Sequence, residues 1–72
     1  MQLSIEVEQE ADGRWLSEVI ELPGVLAYGQ TRAEAILGAQ VLALRVIADR
    51  IEHGEPLPLQ ADLLPQVFSV AA

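Results

Sequence analysis

The chain has 72 residues, no cysteine, one histidine and a formal net charge of −7. This length predicts one small domain over residues 1–72, and such domains are often only marginally stable alone. Disulfides are excluded, and a single histidine excludes a conventional zinc site, so oligomerisation is the remaining means of stabilisation. The acidic balance opposes autonomous binding to nucleic acid and favours a basic protein partner, although acidity that only maintains solubility explains it equally well.

The first half of the chain predicts three strands. From Gln2 to Glu8, apolar and polar residues alternate with the period of two that is typical of a half-buried strand. Asp12-Gly13 is a strong hairpin-turn signal. Residues 14–20 then predict the returning strand, whose two apolar faces leave open which one a helix would cover. A Pro-Gly break follows, and residues 25–30 predict a short third strand.

The second half predicts a long helix and a last strand. Thr31 is a good N-cap, and Glu34 three residues later completes a capping box. The helix is expected from Arg32 to about His53, because Gly54 fits the left-handed position that ends helices. Residues 66–70 predict the fourth strand. The order β-β-β-α-β indicates an α+β fold, an antiparallel sheet with one long helix on a face.

The predicted helix is apolar on two sides. One stripe at helical spacing comprises Ile36, Ala39, Ala43, Val46 and Ile47. A second stripe comprises Leu37, Val41, Leu44, Ala48 and Ile51. Because a small sheet covers only one of them, the second predicts an interface that assembles a dimer or a tetramer. The alternative is that the segment from Leu57 to Ala72 folds back over this stripe.

Acidic residues on the first strand offer the main candidate chemistry. Period two places Glu6, Glu8 and Glu10 on one face. Such carboxylates hold Mg²⁺ in some nucleases, but a solvated strand face has the same pattern, and few basic residues are available for phosphate. A metal-dependent nuclease is therefore the rival hypothesis, and we expect no catalytic residue, metal or cofactor.

Other side chains have simpler structural explanations. His53 is favoured at the end of a helix by the helix dipole, without any catalytic role. Trp15 and Tyr28 are able to stack on bases, but RNA-binding sheets normally surround such aromatics with Lys and Arg. Core or interface packing is the favoured interpretation of both.

An ordered series of short motifs resembles the N-terminal domain of the HicB antitoxin family over roughly residues 1–58. The series combines acids on the first strand with the following segments: Asp12-Gly13, Trp15, Glu21-Leu22-Pro23-Gly24-Val25, Gly29-Gln30-Thr31, Glu34-Ala35 and Gly54-Glu55-Pro56-Leu57-Pro58. The resemblance implies a partial ribonuclease-H-like fold without a working active site. It also implies neutralisation of a small HicA-type toxin that cuts messenger RNA, and it supplies no catalytic residues.

These observations together predict a non-enzymatic, HicB-like antitoxin that binds a small basic toxin. The candidate toxin-binding residues are Glu6, Glu8, Glu18 and Glu21. Full-length members of the family commonly carry a C-terminal DNA-binding segment, for which this chain has no room, so direct DNA binding is not expected. Without a recognisable leader or an apolar run of membrane-spanning length, the expected location is cytoplasmic. An orphan oligomeric module without a toxin is a further alternative.

Overall fold

The computed structural model describes residues 3–55 and 68–71, which form one four-stranded sheet and one helix. The elements are β1 (Leu3–Gln9), β2 (Trp15–Val19), β3 (Leu26–Gly29), α1 (Arg32–Glu52) and β4 (Phe68–Ala71). The order in the sheet is β3-β2-β1-β4. The predicted α+β class and element order are confirmed. The predictions for residues 66 and 67 and for the segment between the helix and β4 lie outside the described residues.

The sheet is mixed, so the prediction of an antiparallel sheet was only partly right. β1 pairs antiparallel with β2, and β2 pairs antiparallel with β3. β4, in contrast, pairs parallel with β1, with Leu3 aligned to Phe68 and Ile5 to Val70. The reason lies in the connection: α1 carries the chain back along the sheet, so the strand after the helix runs in the direction of β1.

Both ends of α1 are fixed by the capping residues that the sequence predicts. The Thr31 hydroxyl accepts a hydrogen bond from the backbone N–H of Glu34 at 3.1 Å. At the other end, Gly54 has φ of 69°. The N–H of Gly54 bonds to the Ile51 carbonyl at 3.1 Å and that of Glu55 to the Arg50 carbonyl at 2.8 Å. This pair of bonds is the Schellman arrangement that terminates a helix.

The core lies between the sheet and the first helix stripe. Ala39, Ala43 and Ile47 are buried there, as the stripe pattern predicts, while Ile36 and Val46 are partly buried against them. The sheet and its connecting loops contribute the larger buried side chains, which are Leu3, Ile5, Val19, Leu22 and Val25.

Small residues bring α1 unusually close to β2 and β3. The buried Ser17 hydroxyl donates a hydrogen bond to the Ala35 carbonyl and so ties β2 to the first turn of the helix. At Gly29, a Cβ would lie 2.6 Å from the Ala35 backbone nitrogen, which no side chain permits. The helix is therefore positioned by the absence of side-chain volume as much as by apolar contacts.

Among the described residues, no helix is both long and apolar enough to cross a membrane.

Candidate protein-binding surfaces

Three carboxylates lie together on the face of the sheet that points away from α1. Glu6 of β1 lies directly opposite Glu18 of β2, and Glu8 lies opposite Leu16. All three glutamates are exposed, and together with Leu16 they line a shallow depression. We call these four residues the acidic face. Sequence reasoning placed Glu6, Glu8 and Glu10 on one face and named Glu18 as a further candidate; the structure brings Glu18 beside Glu6 and places Leu16 beside Glu8.

The opposed carboxylates repel each other in the free protein. Like charges directly opposite in a strand pair are destabilising, by an amount of the order of 0.2–1 kcal/mol. Among the described residues, no ion pair involves Glu6, Glu8 or Glu18. The acidic face is therefore a place where an arriving cation gains attraction and also relieves repulsion that is already present.

Glu21, the fourth predicted toxin-binding residue, lies in a different environment. Its carboxylate accepts a hydrogen bond from the backbone N–H of Ser4 at 2.7 Å. Partial burial raises the pKa of Glu21, but the hydrogen bonds from Ser4 outweigh burial, so the pKa lies below its usual value. This side chain thus ties the chain after β2 to the start of β1, a structural task that the sequence did not reveal.

The second helix stripe is exposed to solvent. Leu37, Leu44 and Ile51 are 61%, 51% and 60% exposed, and Val41 and Ala48 are exposed as well. We call these five residues the helix stripe. Whether the C-terminal segment covers the stripe falls on residues outside the described part of the chain. An apolar row of this length on one side of a helix is typical of an interface.

A third group of exposed apolar residues was not predicted from the sequence. Ile20, Leu26 and Tyr28 are exposed, and the last two belong to β3 at the margin of the sheet. The Arg14 guanidinium carbon lies 4.6 Å from the centroid of the Tyr28 ring, a cation–π contact. Alternation along the third strand was the available signal, because it places Leu26 and Tyr28 on the same side.

Trp15, which was considered for base stacking, and His53, which was considered for catalysis, lie in different elements of the fold. Trp15 is half-buried on the helix-facing side of the sheet. The His53 ring nitrogen Nδ1 lies 2.8 Å from the Asp49 carbonyl and 3.3 Å from the Asp49 carboxylate. The helix cap also brings Glu55 near, so Asp49, His53 and Glu55 offer three donor atoms within 4.8 Å of one another, all exposed.

The carboxylates of the first strand do not make a comparable group. Among the described residues, Asp49, His53 and Glu55 form the one set of three or more potential metal donors within that distance, and Glu6, Glu8 and Glu10 are not part of it. Two-metal and one-metal nuclease sites need several oxygen donors converging on one point. The described geometry of the strand therefore does not favour the nuclease hypothesis.

Comparison of the chain with protein-family models, with curated proteins and with solved structures found no match.

Proposed function

We propose that this chain is a non-catalytic, antitoxin-like protein of a HicAB-like type II toxin–antitoxin system. Its task is to bind and neutralise a small basic toxin that cuts messenger RNA. The observation that carries the proposal is the acidic face, where Glu6 opposes Glu18 beside Glu8 with no compensating cation among the described ion pairs. The resemblance of the sequence motifs to the HicB family points to the same class of partner.

The chemistry of this surface suits a basic protein better than a small ligand. A toxin side chain with an apolar stem and a cationic head packs its stem on Leu16 and places its charge among Glu6, Glu8 and Glu18. Arginine and lysine both have this shape. The formal charge of −7 additionally steers a basic partner towards the chain before contact is made.

Self-association through the helix stripe is the second part of the proposal. The occupant is a second copy of the chain, because Leu37, Val41, Leu44, Ala48 and Ile51 keep the alternating spacing of a coiled-coil seam. Burial of such side chains contributes about 25 cal/mol per Å² of apolar area before association costs are subtracted. The stripe and the acidic face lie on opposite sides of the molecule, so a dimer leaves the acidic face free for a toxin.

The proposal is tested with the purified chain and a HicA-type toxin, taken from a small basic reading frame adjacent to its gene. We expect the chain to suppress RNA cleavage by the toxin. The double variant Glu6→Gln/Glu18→Gln should weaken binding and reduce its dependence on salt. Glu52→Gln/Glu55→Gln is the matched control, since it removes the same charge from the exposed end of the helix.

Two results would contradict the proposal. Equal loss of toxin binding in both double variants would show that total charge matters and that the acidic face does not. RNA cleavage by the chain alone with Mg²⁺ or Mn²⁺, abolished by Glu6→Gln/Glu18→Gln, would support the nuclease instead.

A further inference from the structure

The edge of the sheet at β3 has hydrogen-bonding groups directed away from the protein. The Val19 N–H bonds to the Val25 carbonyl at 2.9 Å, which fixes the alternation along this strand pair. Ala27 and Gly29 therefore direct their backbone groups towards β2, as the Val25 carbonyl does, and Leu26 and Tyr28 direct theirs outwards. Among the described residues, no strand pairs with this edge.

This edge lacks most features by which proteins protect a strand from pairing. Its sequence is Leu-Ala-Tyr-Gly, without charge or proline, and its shortness is the main protective feature that the described residues show. Leu26 is 40% exposed and Tyr28 is 49% exposed. Both side chains lie on the outer face of the sheet, so apolar surface and unpaired backbone groups occur at the same margin.

We propose that β3 pairs antiparallel with β3 of a second copy, which joins two four-stranded sheets into one of eight strands. The interface is separate from the helix stripe, and it goes beyond the self-association proposed above.

The pattern of β3 is self-complementary about Ala27. When two copies run antiparallel around a two-fold axis at this residue, Leu26 of one copy lies opposite Tyr28 of the other, and the reverse also holds. Both residues direct their N–H and C=O groups to the seam, so four backbone hydrogen bonds form. The two side-chain pairs are aliphatic–aromatic contacts, which stabilise neighbouring strands.

The charges beside β3 also suit a second copy. Arg14, whose Nε bonds to the Asp12 carboxylate at 2.8 Å, lies over Tyr28, and Glu18 is the neighbour of Leu26 on β2. Because the antiparallel arrangement brings Tyr28 to Leu26 of the other copy, each Arg14 lies on the side of the seam that faces the other copy's Glu18. A parallel arrangement would instead place Arg14 beside Arg14. A two-fold axis perpendicular to the sheet keeps both helices on the same side of the joined sheet. Pairing through β3 therefore leaves the helix stripe of each copy available for a further contact.

Light scattering on substituted proteins separates the two interfaces. With both present, the wild-type chain should form assemblies of at least four copies. Leu44→Glu disables the helix stripe and should leave pairs joined through β3, and Leu26→Lys should leave pairs joined through the helix. The combined variant should be a single chain. Leu26 is exposed, so Leu26→Lys should leave the circular dichroism spectrum unchanged.

The register is tested by cysteine cross-linking, for which a chain without cysteine is a clean background. Cα atoms of a hydrogen-bonded antiparallel pair are about 5.5 Å apart, within the ~4.4–6.8 Å range that a disulfide spans. A mixture of Leu26→Cys and Tyr28→Cys chains should form a linked dimer under oxidation, in at least about tenfold greater yield than either variant alone.

Three outcomes overturn the pairing. These are a single-chain mass for Leu44→Glu, a wild-type mass for Leu26→Lys, and equal cross-linking in the mixture and in each separate variant. The first outcome, together with intact toxin binding, would remove the β3 interface and leave the proposed antitoxin function standing. Loss of toxin neutralisation, with all the expected masses observed, would remove the proposed antitoxin function and leave the β3 interface standing.

Discussion

The two sides of α1 differ in a way that reverses the usual expectation for a helix on a sheet. The side against the sheet buries mainly small residues, with Ala35, Ala39 and Ala43 fully covered. The opposite side exposes large ones, among them Leu37, Leu44 and Ile51. A surface helix normally buries its largest apolar side chains and leaves polar ones outside.

This reversal shows that two different requirements shaped the helix. On the inner side, the Ser17–Ala35 hydrogen bond and the contact at Gly29 hold the first turn of the helix close to the sheet. Small residues line the buried side from Ala35 to Ala43, and the larger Ile47 is buried only near the far end. On the outer side the described residues set no limit on side-chain size, and large side chains are exposed. The inner side determines the fold, and the outer side provides apolar area for association.

The largest expected effect comes from enlarging the inner side. Ala43→Leu adds volume where Ala43 is fully buried, so it should lower the free energy of unfolding by about 1–3 kcal/mol through overpacking. Urea denaturation followed by circular dichroism measures this change.

Ala48→Leu is the matched control, because it makes the same substitution on the exposed helix stripe. It should change the free energy of unfolding of the single chain by less than about 0.5 kcal/mol and should strengthen self-association. Equal destabilisation by both substitutions would show that the outer side is packed in solution by part of its own chain.

Local signals in the sequence were sufficient for most of α1 and for the hairpin. Thr31, Glu34 and Gly54 act within one turn of the helix ends, and the structure confirms the predicted N-cap and the left-handed terminating glycine. The hairpin at Asp12 is equally local, since Asp12 accepts the Arg14 N–H at 3.0 Å. These interactions need no knowledge of the rest of the chain.

Features that depend on distant contacts were not predictable in the same way. β2 has apolar residues on both sides, and the small, hydrogen-bonded Ser17 decides which side meets the helix. The parallel pairing of β4 depends on where the chain returns after α1. Glu21 looked like another surface acid because its partner, Ser4, is distant in sequence. Of the candidate surfaces, the helix stripe and part of the acidic face followed from periodicity, whereas the β3 edge required the sheet order.

A second prediction concerns the outer side of α1 directly. Leu44→Glu places a charge in the middle of the helix stripe and should weaken self-association at least about tenfold, or roughly 1.4 kcal/mol. Analytical ultracentrifugation over a concentration series measures this.

Arg45→Glu introduces the same residue at the adjacent exposed position and serves as the control. It lies outside the stripe and should leave the dissociation constant within a few-fold of wild type. A larger effect of Arg45→Glu than of Leu44→Glu would place the interface elsewhere on the helix.

The carboxylates show the same contrast, because Glu21 is hydrogen-bonded within the fold whereas Glu8 lies on the exposed acidic face. The pKa of Glu21 is lowered in the folded protein, so its stabilising contribution is present above the usual carboxyl pKa and is lost as the pH falls through the lowered value. Glu21→Gln should therefore lower the free energy of unfolding at neutral pH by about 1 kcal/mol, and the difference from wild type should vanish in acid. Glu8→Gln, on the acidic face, should not lower the free energy of unfolding at neutral pH.

The smallest expected effect has the opposite sign. Glu18→Gln removes the repulsion between Glu18 and Glu6, so it should raise the free energy of unfolding of the single chain by about 0.2–1 kcal/mol at low salt, and less as salt screens the charges. Thermal unfolding at two salt concentrations measures this, with Glu52→Gln as the control. A residue retained only for stability would not behave in this way, because its removal would destabilise the fold. If Glu18→Gln stabilises the chain while weakening toxin binding, the acidic face is a surface whose repulsion a basic partner relieves; destabilisation instead would assign Glu18 to the fold, together with Glu21.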